Sequence, residues 1–282
     1  MKTRKALQSD LERMLEIEES AIPGYGYLFE NKDFYFDGIQ NQGEMILALK
    51  DDIPVGMGQY SLLPDGSGWL EILRVHKDFQ HQGAGRAIYK RYMELAEKTD
   101  APYIAMFTGR KNIASKSLAE KNNFKLAAAH FEYSLDLSDK SEISDDSFHL
   151  IQDAKEAEQL IQKESNSWGS FMGLNRTYFH MGTPLYQWLT KKKMVYSDGE
   201  STVVLGCRML KHRGWYIGFM SGNLERCLNF AITRTLKENL PKLTISFSSD
   251  RSDLINPLEK AGFHSLGELI VMELNRKGEQ HV

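Results

Sequence analysis

Thr3 to Leu7 reads as a short strand, and the pattern then takes the period of a helix running to about Ser20, with Ser9 and Glu12 placed as a capping box. The aromatic stretch "AIPGYGYLFENKDFYF" reads as a connection with a further role. "MILALK", "IPVGMGQYSLL" and "GWLEILRV" follow as strands, joined by turns at Asp51-Asp52 and Pro64-Asp65-Gly66, an antiparallel meander. From about Gly83 to Lys98 the pattern is helical again, with Ala84, Ile88, Tyr92, Leu95 and Ala96 on one face. "PYIAMFT" reads as a buried strand, Asn112 caps a second helix to about Asn122, and "LAAAHFEYSLDL" closes the series. This order predicts an α/β fold of the mixed α+β kind, a mostly antiparallel mixed sheet covered by helices.

The pattern then repeats. "SLAEKNNFKL" at Ser117 to Leu126 aligns with "NPLEKAGFHSL" near the other end, and "ALQSDLERMLEIEES" resembles "LIQDAKEAEQLIQKES". Between the halves lies the most polar stretch, "LSDKSEISDDS" at 137 to 147. We read two domains, 1–140 and 141–282, related by duplication.

Composition narrows the classes of function. A 41% hydrophobic chain of 282 residues can build real cores, and 35 basic against 38 acidic side chains give a net charge of -3, too balanced for a general binder of nucleic acid or anionic membrane. Small molecules or peptides are the expected partners, and the oligomeric state is not legible. Cys207 and Cys227 form neither a zinc spacing nor a disulfide framework, the eight histidines are scattered, and no metal is expected. The start turns charged where a signal peptide needs an apolar core, and no run reaches membrane-spanning length, so a cytoplasmic protein is expected. "GFMSG" at Gly218 to Gly222 misplaces the serine of a hydrolase elbow.

The concentrated chemistry lies at Gln80-His81-Gln82-Gly83-Ala84-Gly85-Arg86, between a strand ending at Val75 and a helix. Glycines at a helix N-terminus offer unpaired N–H groups and partial positive charge to a phosphate. A Rossmann turn needs glycine at position 88, which is Ile88, and no P-loop pattern occurs. The form Q-x-x-G-x-G, with its flanking strand and helix and the later Asn112 to Phe124 segment, resembles the coenzyme A loop of the GNAT superfamily of acetyl-CoA-dependent N-acetyltransferases. The likeness covers most of residues 3 to 137.

That resemblance implies two GNAT-like domains and acetyl-CoA as cosubstrate. Main-chain groups of Leu73, Arg74 and Val75 would hold the pantetheine arm, N–H groups from His81 to Arg86 the pyrophosphate, and Asn112 matches a family asparagine. The tyrosine that many members carry five residues before the Phe is here Ala119. Transfer to an amine needs a neutral amine, since a protonated one has no lone pair, so a base is required. Glu71, on the strand face of Leu73 and Val75, is the candidate base, with an ordinary exposed carboxylate as the alternative. A main-chain N–H near Val75 would meet the oxyanion. Tyr133 is the candidate replacement acid, against a role as a packed aromatic. Tyr25, Tyr27 and Phe29, in one aromatic group with Phe34 and Tyr35, are placed as acceptor-binding residues or as packing between the halves. In the second half "MSGNLERC" lacks the cradle, Arg251 replaces Asn112, Pro257 would break or shorten the last helix, and the Lys191-Lys192-Lys193 run reads as a contact for an anionic substrate or as a solvated helix end. That half is a degenerate copy. The expected activity is acetyl transfer to a primary amine by the first half; a non-catalytic acyl-CoA-binding or regulatory protein, or an interaction module, are the other readings.

Overall fold

The computed structural model describes residues 1–36, 43–138, 147–169 and 171–276, so most of the polar stretch between the halves lies outside the described residues. Two compact units emerge, one of Met1–Met106 with Glu273–Val282, the other of Phe107–Met272.

The first unit runs β1 (Lys2–Lys5), α1 (Leu11–Ala21), α2 (Tyr27–Phe36), β2 (Glu44–Lys50), β3 (Ile53–Leu62), β4 (Gly68–Val75), α3 (Ala84–Lys98) and the first residues of β5 (Tyr103–Gly109). β1 to β4 are antiparallel neighbours, and β5 joins β4 in parallel. Alternation divides each strand between two layers. Met45, Leu47, Leu49 and Met57 face Met14 and Ile17 of α1 and Leu28 and Tyr35 of α2 in one apolar cluster. On the other face Gly58 of β3 lies under α3, so close that a Cβ there would stand 2.0 Å from the Tyr92 Oη. Gly58→Ala therefore forces a close-packed tyrosine to move, and we expect a loss of about 2 kcal/mol, read by urea unfolding.

Two local expectations are corrected. A 3-10 turn at Gln8–Asp10 delays α1 to Leu11, and Asp10, not Ser9 with Glu12, closes the entry: its carboxylate accepts from the Leu7 amide at 2.8 Å and from both Arg4 Nη atoms at 2.7 and 2.8 Å. The Arg4 guanidinium holds this carboxyl below its ordinary range. The aromatic stretch is largely the helix α2: Gly24 and Gly26, at φ +72° and +58°, turn the chain, and Leu28, Asn31 and Tyr35 are then buried at helical spacing.

The second unit contains α4 (Ile113–Glu120), β6 (Lys125–Asp136), β7 (His149–Leu150), α5 (Ala154–Gln162), the hairpin β8 (Phe171–Leu174) with β9 (Thr177–His180), α6 (Thr183–Lys191), β10 (Val195–Ser197), β11 (Thr202–Gly206), β12 (Trp215–Ser221), α7 (Leu224–Lys237), β13 (Lys242–Ser248), α8 (Ile255–Lys260) and most of β14 (His264–Asn275). Its sheet order is β14-β6-β13-β12-β11-β10-β7, with β12 and β13 parallel. β6 pairs antiparallel with β13 over seven positions, from Asp136↔Lys242 to His130↔Ser248. Asn223 caps α7 by accepting from the Arg226 amide, and α8, which includes Pro257, is six residues long.

One face of the β6–β13 pair is polar and buried: His130, Glu132 and Ser134 stand opposite Ser248, Ser246 and Thr244. Glu132 is paired with Arg176, and the Tyr178 hydroxyl lies 2.8 Å from the Ser246 Oγ. His130 packs edge-on against Tyr178 with neither ring nitrogen hydrogen-bonded, and burial lowers its pKa from 6.5 to about 4. A depressed histidine contributes stability that is present above pH 6.5 and is lost as pH falls toward 4, because only the unfolded chain takes up the proton. Over that interval the loss from this group reaches about 3 kcal/mol. Urea unfolding at about pH 7 and about pH 4.5 should show a smaller acid-side loss for His130→Gln than for the unaltered chain; equal losses would place the acid sensitivity elsewhere.

Candidate active site

The site grows from one irregularity in β4. Ile72 has φ +44°, a left-handed backbone that a β-branched residue adopts only when its surroundings impose it. Opposite it the β3 register slips between Met57 and Gln59, so Arg74 faces Met57 while Glu71 faces Gln59. This is a β-bulge. It is braced from α3, where the fully buried Tyr92 donates its hydroxyl to the Glu71 carbonyl at 3.3 Å. Strict alternation fails there: Glu71 bonds Tyr35, and Ile72 packs in the same cluster as Tyr35. The strand face that the sequence assigns jointly to Glu71, Leu73 and Val75 is thus interrupted between them.

The pairing of β4 with β5 ends before the bulge. Their parallel register pairs Gly68 with Ile104 and Trp69 with Ala105, and among the described residues it goes no further, so the backbone of Leu73, Arg74 and Val75 runs on along an unpaired edge. After Val75 the chain enters a 3-10 turn, Lys77–Phe79, and reaches α3 through two left-handed residues, His81 at φ +60° and Gly83 at φ +96°. Gly83 is the N-cap of α3, without a side-chain cap, and a Cβ there would meet nothing within 4 Å. The first N–H groups of α3, from Ala84, Gly85 and Arg86, have no intrahelical acceptor. Side chains brace the loop: Gln80 reaches the Val75 carbonyl at 3.4 Å, Gln82 donates to the Asp78 carbonyl at 2.9 Å, and Lys50 donates to Gln82 Oε1 at 2.7 Å. Arg86 is exposed at the first turn. An open glycine flank, free amides, the positive end of a fifteen-residue helix and an unpaired strand edge suit a ligand with a pyrophosphate and an amide-bearing arm.

Beside this edge is the predicted base. Glu71 is half-buried; its Oε1 accepts from the Ser61 Oγ at 2.7 Å and its Oε2 from the Tyr35 Oη at 3.3 Å. The Tyr35 and Tyr27 hydroxyls are 3.4 Å apart, Tyr27 stacks on Tyr25 with centroids 5.6 Å apart, and Arg74 lies over the Tyr25 ring. The structure thus brings Glu71, Tyr25 and Tyr27 into one cluster. Phe29 is exposed, with the Lys32 ammonium over its ring. Of the two side chains that hold the carboxylate, Ser61 is absent from the sequence-derived site and Tyr35 enters it only with the aromatic group, not as a partner of Glu71. A signal for Tyr35 exists: at Tyr27, Asn31 and Tyr35 the spacing is i, i+4, i+8, visible once the segment is read as a helix.

Asn112 and Tyr133 belong to the second unit. The Asn112 side chain caps α4 by accepting from the Ser115 amide at 3.2 Å. Tyr133 is 5% exposed, with its ring 5.8 Å from that of Phe247, a packed aromatic. Ala119 is fully buried. Among the described residues no group of three or more His, Cys, Asp or Glu could hold a metal ion, and no helix is long and apolar enough to cross a membrane.

Comparison with known proteins places this geometry in context. Residues 11–124 match the model of the acetyltransferase (GNAT) family. No curated protein matches the sequence. In fold the chain is similar to a GCN5-related N-acetyltransferase from Sphaerobacter thermophilus (TM-score 0.61, 10% identity, 97% of this chain and 95% of that one). It is also similar to a tandem GNAT protein from the clavulanic acid biosynthesis pathway (TM-score 0.54, 12% identity, 84% of each chain). A third likeness is to the glucosamine N-acetyltransferase region of a fungal multi-domain GH3 β-N-acetylglucosaminidase (TM-score 0.65, 13% identity, 96% of this chain and 38% of that one).

Proposed function

We propose, from the premise that residues 11–124 form a domain of the acetyltransferase (GNAT) family, that the chain transfers an acetyl group from acetyl-CoA to a primary amine and that its first half, residues 1–140, carries the chemistry. The observation that supports this best is the join of β4 to α3: a bulge at Ile72 beside a strand edge unpaired with β5, leading through Gly83 into unpaired helix amides. In this reading the amides of His81, Gln82, Gly83, Ala84, Gly85 and Arg86 hold the pyrophosphate, Gln80 braces the turn, and the edge of Leu73, Arg74 and Val75 aligns the arm. The bound cosubstrate supplies the electrophile, a thioester carbonyl. Glu71 accepts a proton from the acceptor's ammonium, held for that task by Ser61 and Tyr35. The freed nitrogen forms the C–N bond, the C–S bond breaks, and the nitrogen's second proton passes to the departing thiolate, directly or through water or a side chain. An N–H near Val75 faces the carbonyl oxygen as its negative charge grows. Tyr25 and Tyr27 form a wall of the acceptor site. Asn112 is proposed as a further cofactor contact and Tyr133 as the acid, with packing against Phe247 as the other reading of that tyrosine.

Ala119, buried where many members place a tyrosine, favours a second reading, a non-catalytic acyl-CoA-binding or regulatory protein. Calorimetric titration with acetyl-CoA, followed by thiol release in the presence of an amine panel, separates the two. One site per chain with amine-dependent thiol release supports transfer. Binding with no release for any amine supports the second reading, and no binding removes both.

A further inference from the structure

Arg74 follows the bulge on β4, and its guanidinium lies over the Tyr25 ring, 5.7 Å from Cζ to the centroid, with Tyr25 stacked in turn on Tyr27. Nη1 donates to the Leu73 carbonyl at 2.9 Å, whereas Nε is buried and has no acceptor. Among the described residues no carboxylate is ion-paired with this guanidinium; Glu18, whose Oε2 is taken by the Leu28 amide, acts on it only at longer range. The edge formed by Nε and Nη2 is therefore unused. That edge binds a planar carboxylate through two parallel hydrogen bonds, and stacking on an aromatic ring fixes the plane of the fork before a ligand arrives. From Arg74 the contacts run through Tyr25, Tyr27 and Tyr35 to Glu71.

We propose that the acceptor is an amine that also bears a carboxylate, an amino acid or a close relative, with Arg74 holding the carboxylate while the amine faces Glu71. The inference rests on the acetyl-transfer reading above. A polyamine is disfavoured at this place, because it would set a second ammonium against the guanidinium. A phosphate of the cosubstrate would satisfy the same fork, and the test separates the two.

Acetyl-CoA-dependent thiol release is measured with the standard amino acids, each beside its carboxamide, for the unaltered chain and for Arg74→Met and Arg74→Lys. The acids should exceed the amides by about tenfold or more in kcat/KM, carried by KM, as expected for a site built to hydrogen-bond a group the analogue lacks. Arg74→Met should bring the ratio near one, and Arg74→Lys should restore only part of it, since a point charge cannot make the fork. A ratio near one in the unaltered chain, or one that Arg74→Met leaves intact, overturns the proposal. So does a loss of acetyl-CoA affinity in Arg74→Met with the ratio unmoved, which assigns the fork to the cosubstrate. Should no amine be acetylated, the transfer reading fails, and calorimetry of N-acetyl amino acids against N-acetyl amides, with the protein holding CoA, still reads the fork. Acid-selective binding lost in Arg74→Met supports it; equal binding, or none, overturns it.

Discussion

Glutamine at position 71 lowers the rate of amine acetylation by about two to four orders of magnitude, the contribution of a positioned general base. The substitution keeps the shape of the side chain and an oxygen to accept from the Ser61 hydroxyl, so folding should hold. The pH dependence distinguishes a base from a mere support. With Glu71 in place, the amine is deprotonated inside the complex. Without it, only the fraction already neutral in solution reacts, and the rate of the variant rises about tenfold per pH unit toward the amine's own pKa, near 10.4 for a lysine-like acceptor. Thiol release followed from about pH 6 to about pH 9 measures both slopes. A loss below about threefold throughout would take Glu71 out of the proton path and leave it an ordinary strand carboxylate.

Gly85→Glu removes acetyl-CoA binding while the fold becomes no weaker, and the contrast carries the information. Gly83 and Gly85 do different work. Gly83 sits at φ +96°, where any other residue costs about 1 to 2 kcal/mol, so the backbone alone explains it. Gly85 lies inside the first turn of α3, in helical backbone that any residue adopts, and glycine there is roughly 1 kcal/mol worse than alanine. In the acetyl-transfer reading, a helix that carries this cost without a conformational need keeps its flank clear for the ligand that approaches its amides. An acidic residue in a first turn favours the helix through its dipole, so Gly85→Glu should raise the melting temperature by a few degrees. The same carboxylate, pressed against a pyrophosphate, should weaken binding by about a thousandfold or more, an estimate from one charge and one side chain placed at contact distance. Unchanged affinity by calorimetry would mean that this turn holds no phosphate.

What could be read in the sequence was local. The meander, the helix after Gly83 and the Asn112 cap announce themselves within a few residues, and the structure has each in place. α2 was missed because its apolar residues do not fall on one stripe: Asn31 occupies a buried position while Phe29 is exposed. The bulge was missed for a deeper reason. Nothing in "LEIL" announces a left-handed isoleucine; the conformation is imposed by the slipped register on β3 and by a hydroxyl from α3, and strand alternation applied without it misplaces the faces of Glu71 and Val75. The candidate base was legible as a residue type in the right strand. Its partners Tyr35 and Ser61 were not, since they come from a helix and a strand that only tertiary packing brings to it.

The ladder between β6 and β13 joins residues more than a hundred positions apart, across the polar stretch that reads as the boundary between the duplicated halves. A chain cut within that stretch would not give two self-sufficient pieces. The front fragment would end in a strand whose seven cross-strand partners are encoded elsewhere, and the rear fragment would present β13 with a bare backbone edge, open to other chains. Residues beyond that stretch therefore complete the sheet that β6 belongs to, whether or not they ever touch a cofactor.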